Sequence, residues 1–251
     1  MIESTFVLLK GIGDVTERRL WNEGTRSWRD FIGRRTLSGI SSARKSLYDA
    51  ELAEASRRLD ARDARFFRHR LKSRDHWRLY ETFKARAVYL DIETTGTSPA
   101  FSDVTVVGLY AAGRTTSLVS GDSLTESRLR DELARYDLLV TFFGSVFDLP
   151  FLAAKFPSLT FDQPHVDLCF AARRLGLRGG LKAIESQVGI SRTDDLKGLD
   201  GWDAVRLWQQ WRRGDTGALD LLLRYNAADV CNLEPLAELL VDRLTRHQQC
   251  P

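Results

Sequence analysis

The chain has 251 residues, of which 43% are hydrophobic and 28% are charged, and its formal net charge is +3. This composition is typical of a soluble globular protein and excludes a largely disordered chain. No apolar run approaches the roughly 20 residues that a membrane-spanning helix needs, and the length suits one large domain or a domain with an appendage.

The N-terminus and the cysteines indicate where the protein works. The first residues, Met-Ile-Glu-Ser, have neither the basic start nor the apolar core of a signal peptide. The three cysteines, Cys169, Cys231 and Cys250, are far apart and odd in number, so neither a disulfide framework nor a zinc site is expected. We therefore expect reduced thiols and a cytoplasmic protein with no membrane partner.

The charge is distributed unevenly along the chain. Residues 33–86 carry 15 Lys/Arg and 7 Asp/Glu, a net charge of +8, whereas residues 87–251 carry a net charge of −5. A basic segment that precedes an acidic domain suits a polyanion brought to a metal site. A solvated, arginine-rich helix explains the charge alone equally well.

Residues 1–35 are predicted to form a small all-α region. The pattern indicates a short helix, a tight hairpin that contains Gly11 and Gly13, a second helix, and a further hairpin unit over residues 24–31. This region resembles the helix-hairpin-helix motif, whose hairpin amides bind DNA phosphates without reading the sequence. The resemblance implies that Lys10, Gly11 and Gly13 contact DNA. The alternative is a packing module in which the glycines serve only the turn.

Residues 36–84 are predicted to form a basic helical connector. Leu52, Ala55, Leu59 and Phe66 fall close to one helix face, and arginines cover most of the remaining surface. We expect the apolar face to pack against the following domain, with a side that could meet DNA.

Residues 85–251 are predicted to form an α/β domain. A buried strand begins at residue 87, two strands over 102–112 and 114–120 meet at Gly113, a helix follows over 122–136, and another strand covers 137–143. The pattern is helical from there to the C-terminus. This order predicts a mixed β-sheet flanked by helices.

The first strand places two acids close together. Asp91 and Glu93 stand at positions i and i+2, so both carboxylates project from the same face. A cation such as Mg²⁺ between them would offset their repulsion, although solvated acids at a strand end are the more common explanation for this spacing alone. Thr94, Thr95 and Gly96 then turn the chain beside the acids, where N–H groups and hydroxyls could meet an anionic ligand.

Two further acids follow downstream. Asp148 occurs in Phe-Asp-Leu-Pro-Phe-Leu and is predicted on the first turn of a helix, where it could simply stabilise the helix dipole. Tyr225 and Asp229 stand at i and i+4 and so share one face of a late helix, where Tyr225 could equally be an ordinary core contact.

Taken in order, Asp-x-Glu, Phe-Asp and Tyr-x-x-x-Asp resemble the three motifs of the tyrosine-type DEDD 3′→5′ exonucleases in the ribonuclease H-like superfamily. Residues 165–189 resemble a segment of the YprB-like subgroup. The resemblance implies a ribonuclease H-like fold over residues 85–251 and two Mg²⁺ or Mn²⁺ ions. It also implies four metal-binding acids and a catalytic tyrosine: Asp91, Glu93, Asp148, Asp229 and Tyr225. Arg178 and Lys182, around Gly179 and Gly180, could contact the DNA backbone, although a surface loop before a helix explains them equally well.

Three features depart from the family pattern or leave its details open. Phe143 replaces an Asn that approaches the nucleotide in relatives, and Thr97 replaces a Leu that wedges beside the terminal base. Asp167 is expected to be structural, or else a substitute ligand. Trp202, Trp208 and Trp211 could stack on bases, but core packing is the stronger expectation.

The expected function is metal-dependent 3′→5′ hydrolysis of DNA, at single-stranded or frayed ends. One alternative is the same chemistry on RNA, as in ribonuclease D-like enzymes. Another is a non-catalytic nucleic-acid-binding module on a nuclease fold, to which the changes at Phe143 and Thr97 lend some support.

Overall fold

The computed structural model describes residues 1–249. Its centre is a five-stranded mixed sheet in the order β3-β2-β1-β4-β5. The strands β1, β2 and β3 form an antiparallel meander, and β4 and β5 add in parallel beyond β1. The bounds are β1 (Ala87–Thr94), β2 (Val104–Ala111), β3 (Arg114–Val119), β4 (Leu138–Thr141) and β5 (His165–Asp167).

Helices precede, connect and follow the strands. Before β1 lie α1 (Asp14–Asn22), α2 (Trp28–Gly33), α3 (Ser42–Asp60), α4 (Ala64–Arg70) and α5 (Tyr80–Phe83). Within and after the sheet lie α6 (Glu126–Leu133), α7 (Asp148–Lys155), α8 (Leu168–Arg174), α9 (Leu181–Val188), α10 (Gly201–Arg212) and α11 (Thr216–Gln249). Short 3₁₀ helices cover Ile2–Ser4, Ser73–Leu79, Lys84–Arg86 and Asp194–Leu196.

Each face of the sheet packs against its own set of helices. On β1, Val88, Leu90 and Ile92 point towards α6 and α7. Ala87 and Tyr89 point the other way, into a core shared with α8, α11 and the helices before β1. The acids of β1 continue this second face by strand alternation, so they project towards α11.

The sequence-based expectation of a mixed sheet flanked by helices is confirmed, with an all-α region before β1. Two details were wrong. The chain is not entirely helical after residue 143, because β5 adds a three-residue strand to the edge of the sheet. The expected helix before Gly11 is a 3₁₀ turn at Ile2–Ser4 followed by irregular turns, whereas α1 begins at Asp14, after Gly13.

None of the described helices is long and apolar enough to cross a membrane. The thiols of Cys169 and Cys231 are free. Cys250 lies outside the described residues.

Candidate active site

The central strand β1 and the long helix α11 bring three acids together. Asp91 and Glu93 lie on one face of β1, and Asp229 faces them from α11. One ligand oxygen from each of these three carboxylates lies within 4.8 Å of the others. The i, i+2 spacing in β1 therefore places both carboxylates on one face, as expected.

Asp148 reaches the same site from α7. The parallel pairing of β1 with β4 covers only Ala87–Tyr89, so the N–H of Ile92 is free to donate to Asp148 Oδ1, at 3.1 Å. Asp148 is the first residue of α7, as the sequence predicted. It lines one cleft of about 420 Å³ together with Asp91, Glu93, Asp229 and Tyr225.

The electrostatics of these acids favour a bound cation. Burial raises the pKa of Asp91 well above its usual range, and the carboxylates of Asp229, Asp148 and Glu93 raise it further. Burial, followed by Asp229, also raises the pKa of Glu93 well above its usual range, and burial raises the pKa of Asp148 to about 7. Four converging carboxylates are all ionised at neutral pH only when positive charge offsets their repulsion, and divalent Mg²⁺ or Mn²⁺ prefers such oxygen donors. The donor set therefore fits a divalent metal.

Arg192, which sequence reasoning missed, supplies part of the positive charge. Its guanidinium lies 2.5 Å from Asp229 Oδ1 and donates to both oxygens of Glu185, at 2.6 and 2.8 Å. Burial raises the pKa of Asp229, and Arg192 opposes that rise. The loop between α9 and α10 carries Arg192 far from the motifs in sequence, so no local signal marks it.

Tyr225 lies one helical turn before Asp229 and is buried beside the cleft. Its hydroxyl accepts a hydrogen bond from Lys182 Nζ, at 2.8 Å. Burial, followed by the charges of Asp229, Glu93 and Asp91, raises the pKa of Tyr225 above its usual range. The phenol is therefore neutral at physiological pH.

Asn226 is a second residue that the sequence analysis missed. Its Nδ2 donates to Asp91 Oδ2 at 2.9 Å, so the same helix that carries Asp229 also orients the first acid. The close approach depends on Gly108 of β2, since a Cβ at that position would lie 2.8 Å from Asn226 Cγ. The sequence signal for Asn226 was its position next to Tyr225 in the Tyr-x-x-x-Asp motif.

The residues predicted to contact nucleic acid lie in different environments. Lys182 is half-buried and donates to Tyr225 and to the carbonyl of Leu199, so it belongs to the acid site. Thr94 and Thr95 use their hydroxyls within the turn after β1, through bonds to the Gly96 carbonyl and from the Asp103 N–H. Four residues are exposed: Lys10, Gly11, Gly13 and Arg178.

The three tryptophans have different roles in the fold. Trp208 and Trp211 pack together in the core between α10 and α11, with ring centroids 4.5 Å apart, as expected. Trp202 does not share this core packing: it is 62% exposed and lines the cleft at the start of α10. The capping box of Asp200 and Asp203 fixes the helix start there, which holds Trp202 at the rim.

Phe143 and Thr97, the two departures from the family pattern, both line the cleft. Asp167 has a structural role: it accepts from the N–H groups of Phe143, Ser145 and Cys169. Neither Asp167 nor Asp148 belongs to the group of three described acids whose oxygens lie within 4.8 Å of one another. Asp148 lines the cleft with that group, and Asp167 does not.

The fold resembles part of a family B DNA polymerase from Pyrobaculum calidifontis, with a TM-score of 0.53 and 17% identity over 62% of this chain and 24% of the polymerase. It also resembles NrnC of Brucella melitensis, with a TM-score of 0.50 and 24% identity over 68% of this chain and 79% of NrnC. A third similar structure, described as the apo form of a nuclease, has a TM-score of 0.50 and 23% identity over 72% of this chain and 81% of that one.

None of the curated proteins compared with the sequence matches it. The family model of the ribonuclease H superfamily matches residues 88–241, which contain β1, the acid cluster and most of α11. The chain therefore belongs to the ribonuclease H superfamily.

Proposed function

We propose that this protein is a metal-dependent 3′→5′ exonuclease of the tyrosine-type DEDD branch, similar to the YprB-like subgroup, that hydrolyses DNA at single-stranded or frayed ends. One observation carries the proposal. Asp91, Glu93 and Asp229 converge within 4.8 Å in a cleft that Asp148 and Tyr225 also line. Burying several unpaired carboxylates in a core is costly, whereas metal ions that catalyse phosphodiester hydrolysis are held by converging oxygen ligands of this kind.

The four carboxylates of Asp91, Glu93, Asp148 and Asp229 would hold two Mg²⁺ or Mn²⁺ ions. Bound divalent ions would lower the pKa of a water molecule and stabilise the charge on the leaving oxygen. Asn226 fixes the carboxylate of Asp91 through its amide, and Ile92 fixes that of Asp148 through its N–H. The protein thus holds its ligands in place before the substrate arrives.

Tyr225 would orient the attacking water as a neutral phenol rather than remove its proton. Its oxygen accepts from Lys182, which leaves its own hydroxyl hydrogen for a group in the cleft. Because a phenol is protonated at neutral pH even at its ordinary pKa of about 10, proton removal would depend on the lowered pKa of the water itself.

DNA is the favoured substrate because of the region before β1. The exposed backbone at Gly11 and Gly13 precedes α1, where free helix N–H groups suit a phosphate, and Lys10 adds a positive charge. The +8 charge of residues 33–86 would attract either nucleic acid. RNA is therefore tested beside DNA.

The test uses 5′-labelled single-stranded DNA and RNA of matched sequence, with Mg²⁺, Mn²⁺ or EDTA. We expect a metal-dependent ladder that shortens from the 3′ end, and phosphorothioate linkages at the 3′ end should block it. Asp91→Asn and Asp229→Asn should lose at least about 10³-fold in rate, whereas Asp131→Asn, at a 73% exposed acid on α6, should retain full activity.

A second measurement separates metal binding from catalysis. Mg²⁺ or Mn²⁺ should raise the melting temperature of the wild-type protein, because a ligand that binds only the folded state stabilises it. The Asp91→Asn variant should fold and lose this shift. A metal-independent activity, or unchanged activity in either acid variant, would contradict the proposal. Cleavage of RNA alone would retain the chemistry and replace the substrate.

A further inference from the structure

Phe143 occupies an unusual backbone conformation at the edge of the cleft. Its φ is 65°, in the left-handed region of backbone conformation, which bulky residues rarely adopt. Its ring is 36% exposed, so burial of the side chain does not compensate for the strained backbone. Strain of this kind persists where the surrounding structure enforces it, often at a functional site.

A dedicated set of hydrogen bonds enforces this conformation. Asp167 Oδ1 accepts from the Phe143 N–H at 2.8 Å, and its Oδ2 accepts from the N–H and the hydroxyl of Ser145, at 3.0 and 2.5 Å. Thr141 Oγ1 accepts from the Gly144 N–H, at 3.1 Å. Thr141 and Asp167 are direct neighbours in the register of β4 and β5, so the sheet itself holds the loop.

The ring of Phe143 lies beside a second exposed aromatic ring, that of Phe170 on α8. The two rings lie 6.3 Å apart between centroids and only 27° from parallel, and Phe170 is 40% exposed. The guanidinium carbon of Arg173 lies 5.1 Å from the centroid of Phe170 and 5.9 Å from that of Phe143. We name these three residues the aromatic platform.

The chemistry of the platform indicates its ligand. A nucleobase has a flat π-face, and single-strand binding proteins use exposed aromatic rings and arginine to stack bases without sequence preference. Phe143 lines the acid cleft, so the platform begins at the wall of the cleft that would hold the end of a strand. If Phe170 were exposed only to dock another protein, neither the guanidinium of Arg173 nor a position next to the cleft would be needed.

We propose that Phe143, Phe170 and Arg173 stack an unpaired nucleobase of the strand whose end lies in the cleft. This inference rests on the proposed nuclease function. It adds a binding subsite for one base of a single strand. This subsite would distinguish a nucleotide with a base from an abasic one, but it would not distinguish one base from another.

The experiment removes single bases from the substrate. Oligomers that carry one abasic residue at successive positions from the 3′ end are digested by wild type, Phe170→Ala and Phe170→Tyr, and kcat/KM is measured for each. In wild type, one abasic position should lower kcat/KM by roughly tenfold, the scale of one base–aromatic stack. Phe170→Ala should lower kcat/KM for the intact oligomer by a similar factor and lose the abasic effect, whereas Phe170→Tyr should retain both.

The control is Leu47→Ala, which removes a 57% exposed apolar side chain on α3 and should leave the abasic pattern unchanged. The same oligomers are also bound in EDTA, so that Kd reports stacking without cleavage. No position-specific abasic effect in wild type, or an equal abasic effect in wild type and Phe170→Ala, would overturn the platform while leaving the exonuclease intact. If no polynucleotide is cleaved, the proposed function fails and the binding measurement still decides the platform.

Discussion

At the scale of single residues, the site depends on Tyr225 being held in one orientation. Lys182 Nζ lies 2.8 Å from the phenol oxygen and 4.5 Å from the ring centroid, so one ammonium contacts both the polar tip and the face of the ring. Burial lowers the pKa of this lysine, although the nearby carboxylate of Asp229 opposes that effect. Two hydrogen bonds hold this partly buried lysine in place: one to the phenol oxygen of Tyr225 and one to the carbonyl of Leu199.

This contact predicts that Lys182 acts through Tyr225. Tyr225→Phe should lower kcat by about 10²-fold, the usual loss when a group that positions a reactant is removed. Lys182→Met should lower kcat by about tenfold, because the phenol keeps its place but loses the bond that orients it. The double variant should be no slower than Tyr225→Phe, since residues that act as a unit are not additive.

Single-turnover digestion of the labelled oligomer measures these rates. Lys197→Met is the matched control, because Lys197 is an exposed lysine on the loop before α10 and should retain full activity. Additive losses in the double variant would show that Lys182 contributes independently, for instance to binding the strand.

Sequence and structure agree best on the acids and least on the residues that support them. Strand periodicity predicted that Asp91 and Glu93 share one face, and the resemblance to a nuclease motif, rather than the spacing, singled them out as metal ligands. Arg192 could not be identified, because its role arises from a loop that brings it to Asp229 and Glu185 in three dimensions. A contact between Lys182 and the DNA backbone was one of two expectations for this lysine and stays a prediction, and the fold directs its Nζ to the Tyr225 hydroxyl, which the sequence did not indicate.

At the scale of elements, the site requires α11 to lie close against β2. Gly108 is opposite Asp91 in the β1–β2 register and has no side chain, so Asn226 can approach the sheet and donate to Asp91. A methyl group at that position would overlap the amide of Asn226. The distance between α11 and the sheet therefore decides whether Asp229 reaches the other acids.

Gly108→Ala is predicted to displace α11 and to damage both stability and activity. Overpacking of a tight contact costs about 1–3 kcal/mol of unfolding free energy, which urea unfolding measures. Gly33→Ala is the control, because Gly33 lies at the end of α2 with no atom near its added Cβ. Adding Asn226→Ala to Gly108→Ala should recover most of the stability but not the activity, since Asp91 loses its amide partner. Wild-type stability in Gly108→Ala would show that α11 adjusts without cost.

The elements that formed as expected are those with long or strongly marked patterns. The strands β1, β2 and β4 are mostly apolar, and all of β1 to β4 lie close to the predicted ranges. Helix α7 begins at Asp148, where an acid and Pro150 mark the first helical turn. The strand β5 was missed because three residues, His-Val-Asp, carry no periodicity that distinguishes a strand from a loop. Its pairing with β4 is a tertiary contact, and that contact also holds the loop that carries Phe143.

At the scale of the whole molecule, the helices before β1 and the sheet enclose one common core. This core extends from Ile2 and Phe6 through Trp28 and Phe67 to Leu240 in α11. Within it lies a buried ion pair between α1 and the 3₁₀ helix that precedes α5: Arg78 Nη1 is 2.8 Å from Glu17 Oε2, and both residues are only 1% exposed. Glu17 also accepts from the N–H of Phe6, at 2.6 Å.

The Glu17–Arg78 pair is predicted to couple the region before β1 to the rest of the fold. Burial raises the pKa of Glu17 even though Arg78 and two backbone N–H groups oppose the rise, so the loss of hydration outweighs the attraction. Arg78→Met leaves the buried Glu17 without a charged partner, and Glu17→Gln leaves Arg78 with only the buried Asp75, 3.7 Å away. Each change is expected to cost about 3–5 kcal/mol, whereas replacing both partners is far less costly. Glu17→Gln and Arg78→Met should each destabilise strongly, and the double variant should lose at least about 2 kcal/mol less than the sum of the two.

Urea unfolding followed by both circular dichroism and tryptophan fluorescence measures these free energies and shows whether unfolding is one transition. The chain provides a matched control, because Asp14 and Arg74 join the same two segments by an exposed pair at 3.3 Å. Asp14→Asn should cost less than about 1 kcal/mol, since water screens exposed ion pairs. If Asp14→Asn and Glu17→Gln lower the free energy of unfolding equally, the buried ion pair stabilises the fold no more than the exposed one. Two separate transitions in the wild-type protein would show that the region before β1 unfolds independently, even though its side chains share a core with the sheet.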